Sequence, residues 1–182
     1  ALFIFSANRI YKLVGNSQAD YQLQPITREI GCSNGWTIKE FAGDIIFLGP
    51  DGLRTIAGTD KIGDVDLGTI SKPVQELFQN KTNVDDFDAV VIPNKTQYRI
   101  LFNNSGVPAV STSGVICIRK ESGYEFATTK GLRASCSDSE VYLGVFYVVH
   151  GDFDGYVYRD ELGSTFDGTT IVGRYRSPDI IA

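Results

Sequence analysis

Residues 141–176 decide the fold, and they read Val141-Tyr-Leu-Gly-Val-Phe-Tyr-Val-Val-His150, Gly151-Asp-Phe-Asp-Gly155, Tyr156-Val-Tyr-Arg159, Gly163-Ser-Thr-Phe-Asp-Gly168 and Ile171-Val-Gly-Arg-Tyr-Arg176. The apolar runs carry β-branched and aromatic residues, which fit a pleated surface. Each break contains Asp-Gly, and glycine supplies the positive φ angle of a tight hairpin turn. The stretch therefore predicts strand, turn, strand, turn, strand, which is one antiparallel meander.

The rest of the chain repeats this rhythm. Strands of about five residues fit between turn signals that recur about every ten residues, which is the all-β pattern. The clearest further hairpin joins 44–48 to 53–56 across Gly49-Pro-Asp-Gly52. One short helix is predicted at 71–78, with Ser71 as its cap and Pro73 in its first turn. An ordered loop is expected at 58–68, and strands are predicted within 2–14, 36–41, 87–92, 97–102, 115–119 and 124–127.

The predicted fold class is all-β, built from antiparallel meander sheets that resemble β-propeller blades. A single β-sandwich or barrel is the alternative. We expect residues 1–182 to be part of one larger propeller-like domain, with blade units at 1–79 and 80–182. The chain contains no methionine, so we expect an internal segment of a longer polypeptide. The residues assigned a structural role are the turn residues Asp51, Gly52, Asp154, Gly155, Asp167 and Gly168.

Composition narrows the classes of function. Hydrophobic residues make up 42% of the 182 residues, which is enough for a sizeable core, and no apolar run approaches the roughly 20 residues of a membrane-spanning helix. The net charge of -5 argues against binding nucleic acid by neutralising phosphates. It leaves open a surface along which DNA merely passes. The odd set of Cys32, Cys117 and Cys136 lacks CxxC spacing, so buried free thiols are predicted rather than disulfides or a zinc site.

No catalytic residue is predicted, and the chain is expected not to be an enzyme. His150 is the only histidine and closes an apolar strand, which favours a structural role. Paired carboxylates of the glycosidase type are the remaining catalytic option. Acidic residues are also what β-turns require, and this is the favoured interpretation. The carboxylates in question are Asp85, Asp86, Asp88, Asp152, Asp154 and Glu161.

No cofactor and no metal are predicted. Alternate acidic residues at Asp152 and Asp154, and at Asp64 and Asp66, resemble part of a calcium loop, but neither pair continues into a full set of ligands. A sugar-binding platform is a second alternative, although aromatic residues at strand spacing more often face a core or an interface. The aromatic residues in question are Tyr142, Phe146, Tyr147, Tyr156 and Tyr158.

Two passages resemble a known family. The first is Gly35-Trp-Thr-Ile-Lys-Glu-Phe-Ala-Gly-Asp-Ile-Ile-Phe-Leu-Gly-Pro-Asp-Gly-Leu-Arg-Thr-Ile-Ala-Gly58, continued by Asp64-Val-Asp-Leu-Gly-Thr-Ile-Ser-Lys-Pro-Val74. The second is His150-Gly-Asp-Phe-Asp-Gly-Tyr-Val-Tyr158 with Phe166-Asp-Gly168 and Arg174-Tyr-Arg-Ser-Pro178. Together they resemble the propeller region of the tail nozzle, or tail tubular protein B, of short-tailed bacteriophages, especially those of marine and cyanobacterial phages.

This resemblance implies a non-enzymatic virion structural protein of the phage tail. It implies a homohexameric ring that contacts tail adaptor and fibre proteins and surrounds the channel for DNA ejection, with DNA only as transiting cargo. No catalytic residue transfers from the family. The alternative function is a carbohydrate-binding or glycoside-cleaving propeller of a receptor-binding tail component. A third option is an all-β interaction domain of another virion protein.

Overall fold

A computed structural model describes residues 2–57, 68–79, 83–102, 112–166 and 168–170. These residues form open antiparallel sheets in which strands follow chain order, so the all-β class and the meander sheets are confirmed. None of these sheets closes into a barrel within the described ranges. The first sheet contains β1 (Leu2–Phe5), β2 (Ile10–Val14) and β3 (Gln22–Thr27), and the second contains β4 (Lys39–Phe41), β5 (Asp44–Gly49) and β6 (Gly52–Thr55).

The third and fourth sheets follow in the chain. The third contains β7 (Asp88–Ile92), β8 (Gln97–Leu101), β9 (Thr112–Lys120) and β10 (Gly123–Lys130). The fourth contains β11 (Cys136–Tyr142), β12 (Val145–Gly151) and β13 (Val157–Arg159), and a two-stranded ladder of β14 (Thr165–Phe166) and β15 (Thr169–Thr170) comes last. No helix in the described ranges is long and apolar enough to cross a membrane.

The second sheet lies between the first and the third. Phe47 of β5 belongs to the cluster that packs on the first sheet, and its ring contacts Phe5 edge-on with centroids 5.3 Å apart. Leu48, on the opposite face of β5, belongs to the larger core shared with Tyr98 and Val115 of the third sheet. Successive side chains of a strand point to opposite faces, so a strand buried on both faces requires a continuous apolar run. This requirement explains the Ile-Ile-Phe-Leu sequence of β5.

The predicted strand at 141–150 was wrong, because a hairpin turn divides it. Leu143 and Gly144 have φ angles of 50° and 75°, and they join β11 to β12. Two consecutive positive φ angles are typical of a type I′ turn, the turn whose twist matches two antiparallel strands. The strand predicted at 36–41 is also shorter than expected, because Gly35–Thr37 form a 3₁₀ turn before β4.

Two further local expectations needed correction. β3 was not predicted. It contains Pro25, which removes a ladder donor, and the structure accommodates this proline because β3 is an edge strand. The helix predicted at 71–78 divides into a 3₁₀ turn at Lys72–Val74 and α1 (Glu76–Gln79). Ser71 does not cap this helix with its side chain, and its buried hydroxyl instead accepts the Leu53 amide at 2.9 Å.

The predicted turns lie at strand connections where the structure describes them. Gly52, Gly155 and Gly168 have φ angles of 138°, 88° and 80°, in the region that glycine enters readily. Asp167, the loop predicted at 58–68 with Asp64 and Asp66, and the strand predicted at 171–176 lie outside the described residues. The division into units 1–79 and 80–182 stays a prediction.

Candidate functional site

A cleft of about 710 Å³ opens where the second, third and fourth sheets meet. One wall comes from the turn before β4 and from the loop before β7, and the other wall comes from the fourth sheet. Small-molecule sites usually have volumes of about 300–1,000 Å³, so the cleft has the size of a binding site. Its lining includes Trp36, Lys39, Asp85, Asp86, Asp88, Ser137, Asp138, Val149, His150 and Val157.

The side chain of Asn34 fixes the first wall. Its amide nitrogen lies 2.7 Å from the Val84 carbonyl oxygen, 3.0 Å from that of Asp85 and 2.7 Å from that of Phe87. Its amide oxygen accepts the backbone N–H of Trp36 at 2.8 Å and so caps the 3₁₀ turn. Asn34 is only 6% exposed. One buried side chain therefore holds Trp36 and the acidic loop in a fixed relative position.

Trp36 carries the largest apolar side chain of the cleft. It is the only tryptophan of the chain and is 72% exposed. A tryptophan buries more apolar area than any other residue when it is enclosed, so an indole this exposed is unusual in a domain that has a core available. The indole ring thus offers a flat apolar surface at the mouth of the cleft.

The opposite wall is attached to β7 by serine side chains. Ser137 donates its backbone N–H and its hydroxyl to the Asp88 carboxylate, at 2.5 and 2.7 Å. Ser139 donates its hydroxyl to the Val91 carbonyl at 2.6 Å. β7 is an edge strand of the third sheet, and the bond from Ser139 satisfies one backbone carbonyl of that edge. Asp88 is thereby committed to a structural contact.

His150 lines the cleft but forms a structural pair. Its Nδ1 lies 2.6 Å from Oδ1 of Asp160, and its ring stacks on Tyr158 with centroids 5.3 Å apart. Ser137 lies directly opposite His150 in the strand register, which would suit a nucleophile and its base. The Ser137 hydroxyl, however, donates to Asp88. The geometry therefore does not join serine and histidine into a catalytic unit.

The six predicted carboxylates fall into two groups. Asp85, Asp86 and Asp88 line the cleft, whereas the other three stabilise turns and sheet contacts outside its lining. Asp152 accepts the backbone N–H groups of Asp154 and Tyr156 at 2.8 and 2.9 Å, as a turn residue does.

The remaining two acidic residues form ion pairs. Asp154 lies 3.2 Å from Arg133. Glu161 pairs with Lys95 and Arg99 and so ties the fourth sheet to the third. Burial raises the pKa of Glu161, but the hydrogen bonds and charges of Lys95 and Arg99 outweigh it, and the net pKa lies below its usual range.

The metal and platform alternatives gain no support from the geometry. In the described ranges, no group of three or more His, Cys, Asp or Glu side chains is placed to hold a metal ion. The pleat divides the predicted aromatic platform between two faces of the fourth sheet. Tyr158 shares a face with His150, while Tyr147 is on the other face beneath the guanidinium of Arg159, 4.1 Å away.

Asp51 has a larger role than the predicted turn. Its carboxylate oxygens each lie 2.8 Å from a nitrogen of Arg54, whose side chain is 0% exposed, and Thr69 also donates to it. Burial raises the pKa of Asp51, but the hydrogen bonds from Arg54 and Thr69 dominate, and the net pKa lies below its usual value of 3.8. This bidentate pair anchors the hairpin that the sequence identified from Asp51 and Gly52 alone.

The thiols differ in exposure. Cys117 is buried, which raises its pKa to about 12, and burial also raises the pKa of Cys32, which is half-buried. The prediction of a buried thiol was wrong for Cys136, which is exposed on the cleft wall. Successive side chains of β11 point to opposite faces. Because Ser137 points toward β7, the preceding residue Cys136 points away from it and is exposed.

Sequence reasoning did not identify Trp36 or Asn34 as site residues. A turn signal at Ser33-Asn34-Gly35 directly before the sole tryptophan could have indicated an exposed ring. No protein-family model matches this sequence, and no curated protein matches it either.

Proposed function

We propose that this chain is a non-enzymatic structural protein of a bacteriophage tail, in which it assembles with further copies of itself. The main supporting observation is that the first sheet exposes an apolar outer face and the fourth sheet exposes an apolar hairpin tip. Contiguous exposed apolar surface on a protein marks an interaction site. Apolar surface on both of these sheets is also what contact with further sheets, in a longer propeller-like domain or a ring of subunits, would bury.

The outer face of the first sheet is apolar along its length. The register pairs Leu2 with Leu13 and Leu13 with Leu23, so these three side chains share one face, and Ile4 follows two residues after Leu2. Leu2, Ile4 and Leu23 are exposed. The opposite face packs on the second sheet through Phe5 and its neighbours.

The outer face of the fourth sheet ends in an apolar hairpin tip. Tyr142 pairs with Val145, and both are exposed on the face opposite the serines that contact β7. Leu143, at the turn itself, is 84% exposed. Burying one such side chain in a contact contributes about 1.5–3 kcal/mol.

The first and fourth sheets differ in net charge. Residues 136–162 contain six Asp and Glu residues and one arginine, whereas residues 2–27 contain Arg9, Lys12 and one acidic residue, Asp20. Opposite potentials favour contact between different surfaces and disfavour self-contact of the acidic sheet. A head-to-tail contact between the fourth sheet of one copy and the first sheet of the next would bury apolar surface on both sheets and would avoid contact between two acidic sheets. Such heterologous contacts generate closed rings or filaments.

The proposal extends to the tail nozzle that the sequence resembles. There, a homohexameric ring would contact adaptor and fibre proteins and surround transiting DNA in the virion. The net charge of -5 suits a wall that repels phosphates over about a Debye length, roughly 8 Å at physiological salt.

The test exploits the turn at Leu143 and Gly144. Asparagine enters the left-handed region more readily than leucine, so Leu143→Asn favours the hairpin while it removes the exposed side chain. The matched control is Ala42→Asn, because Ala42 and Gly43 form an equivalent turn with φ angles of 53° and 80°. Sedimentation velocity should show the wild type as oligomers, Leu143→Asn with about 10- to 150-fold weaker association, and the control unchanged.

Two outcomes contradict the proposal. A wild-type protein that stays monomeric up to about 100 µM, where contacts of even modest affinity are populated, removes the assembly role. Oligomers without sixfold rings in negative-stain micrographs remove the nozzle assignment and leave another assembly.

A further inference from the structure

We propose that the cleft beside Trp36 binds a neutral carbohydrate, with a sugar ring stacked on the indole. This inference is independent of the assembly proposed above. The cleft lies at the end of β11 that contains Ser137 and Asp138, whereas the proposed contact lies at the other end, at the Leu143 turn.

The first support is the aromatic surface. Trp36 presents a large apolar ring that is 72% exposed at the mouth of a cleft of about 710 Å³. Sugar rings have apolar C–H faces and polar edges, so they combine with a flat aromatic ring on one side and hydrogen-bonding groups around it. An amphipathic ligand of this kind covers the indole without requiring an enclosed pocket.

The second support is preorganisation. The single Asn34 side chain binds both the Trp36 amide and three carbonyls of the loop that carries Asp85 and Asp86. The backbone that carries the ring and the backbone that carries the acidic side chains therefore keep their relative position in the free protein. A ligand then loses less affinity to the ordering of its site.

The third support is the mixture of charges. Asp85, Asp86 and Asp138 supply acceptors, Lys39 supplies a donor, and a sugar hydroxyl can both donate and accept. Four aspartates and one lysine line the cleft, so an anion such as a phosphate is repelled, while Lys39 offsets part of the attraction for a cation. Among the lining residues, Trp36 is also the only exposed aromatic ring, which is too few for an aromatic cage around a cation. A neutral polyhydroxylated ligand can donate to the carboxylates, accept from Lys39 and stack on the indole.

The experiment uses Trp36 as its own probe, because excitation at wavelengths that tryptophan absorbs and tyrosine does not makes the emission report on this single ring and not on the nine tyrosines. The full chain is titrated with maltotetraose, cellotetraose, chitotetraose and the delipidated polysaccharide of a bacterial lipopolysaccharide, each to about 10 mM, ten times the Kd of a weak millimolar site. At least one saccharide should give a saturable blue shift of the emission. The shift should persist when salt is raised from about 0.1 to 1 M, because no net charge is paired.

Variants then locate the ligand by calorimetry. Trp36→Ala should weaken binding by about tenfold or more, the loss expected when one stacking ring is removed. Tyr21→Ala is the matched control, because it removes an exposed aromatic ring outside the lining of the cleft, and it should bind normally. Circular dichroism checks that both variants fold.

Three results overturn the inference. The first is the absence of any emission change with all four saccharides. The second is equal binding by Trp36→Ala. The third is a salt-sensitive response to spermine without a response to sugars, which would identify a cation site instead. None of these results changes the sedimentation expected for the wild type, so the carbohydrate proposal can be refuted while the assembly proposal stands.

Discussion

Replacing Asn34 by aspartate tests whether one amide group holds the cleft together. The substitution keeps the size of the side chain and keeps an oxygen that can accept the Trp36 backbone N–H. It removes the amide NH₂ group that donates to the carbonyls of Val84, Asp85 and Phe87. The cap on the 3₁₀ turn thus survives, while the link to the third sheet is lost.

The magnitude follows from the contacts. The two N–H bonds of one amide serve three carbonyl oxygens, so about two full hydrogen bonds disappear, each worth about 0.5–1.5 kcal/mol. A carboxylate at a position that is 6% exposed also faces carbonyl oxygens and loses hydration, which adds about 1–3 kcal/mol. We expect Asn34→Asp to lower the free energy of unfolding by about 2–6 kcal/mol at neutral pH.

Urea unfolding followed by far-UV circular dichroism measures this loss. Asn94→Asp is the matched control, because it makes the same chemical change at an exposed position, where surface substitutions alter stability by about 0.5 kcal/mol or less. A difference below about 1 kcal/mol between the two variants would refute the role given to Asn34.

Two further predictions concern ionisable groups. Asp51→Asn removes the charge that faces the buried guanidinium of Arg54, so urea unfolding at pH 7 should show a loss of about 3–5 kcal/mol. Because the folded pKa of Asp51 lies below 3.8, its contribution is fully present above that value and is lost as pH falls through the folded pKa. The wild type and the variant should therefore converge in stability below pH 3.8, and a constant difference at all pH values would contradict the pairing. A thiol reagent added to the folded protein at neutral pH should label the exposed Cys136 rapidly and the half-buried Cys32 more slowly. Cys117 should react only after the protein unfolds, and rapid labelling of Cys117 in the folded protein would contradict its burial.

The fold class could be predicted because it depends on local chemistry. The hairpin at Gly49-Pro-Asp-Gly52 and the apolar runs around it identify strands and turns within a few residues of sequence. The turn at Leu143 and Gly144 escaped prediction for a physical reason. It lies within an uninterrupted apolar run, and leucine gives no signal for a positive φ angle.

The candidate site could not be predicted in the same way, because its contacts are distant in sequence. Asn34 binds carbonyls of residues about 50 positions later in the chain, and Ser137 reaches Asp88 across a similar separation. Predicted strands do not specify which sheets lie side by side. The carboxylates could be identified as a group, but only the packing distinguishes those in the cleft from those that close turns.

The chain-order pairing of the strands has a consequence for folding. Every ladder in the described ranges joins strands adjacent along the chain, so each ladder closes a loop of at most ten residues and needs little loss of chain entropy to form. Hairpins of this kind form within about 1–10 µs. Each sheet can therefore form while later residues are still being synthesised, and distant bonds such as those of Asn34 then join sheets that already exist.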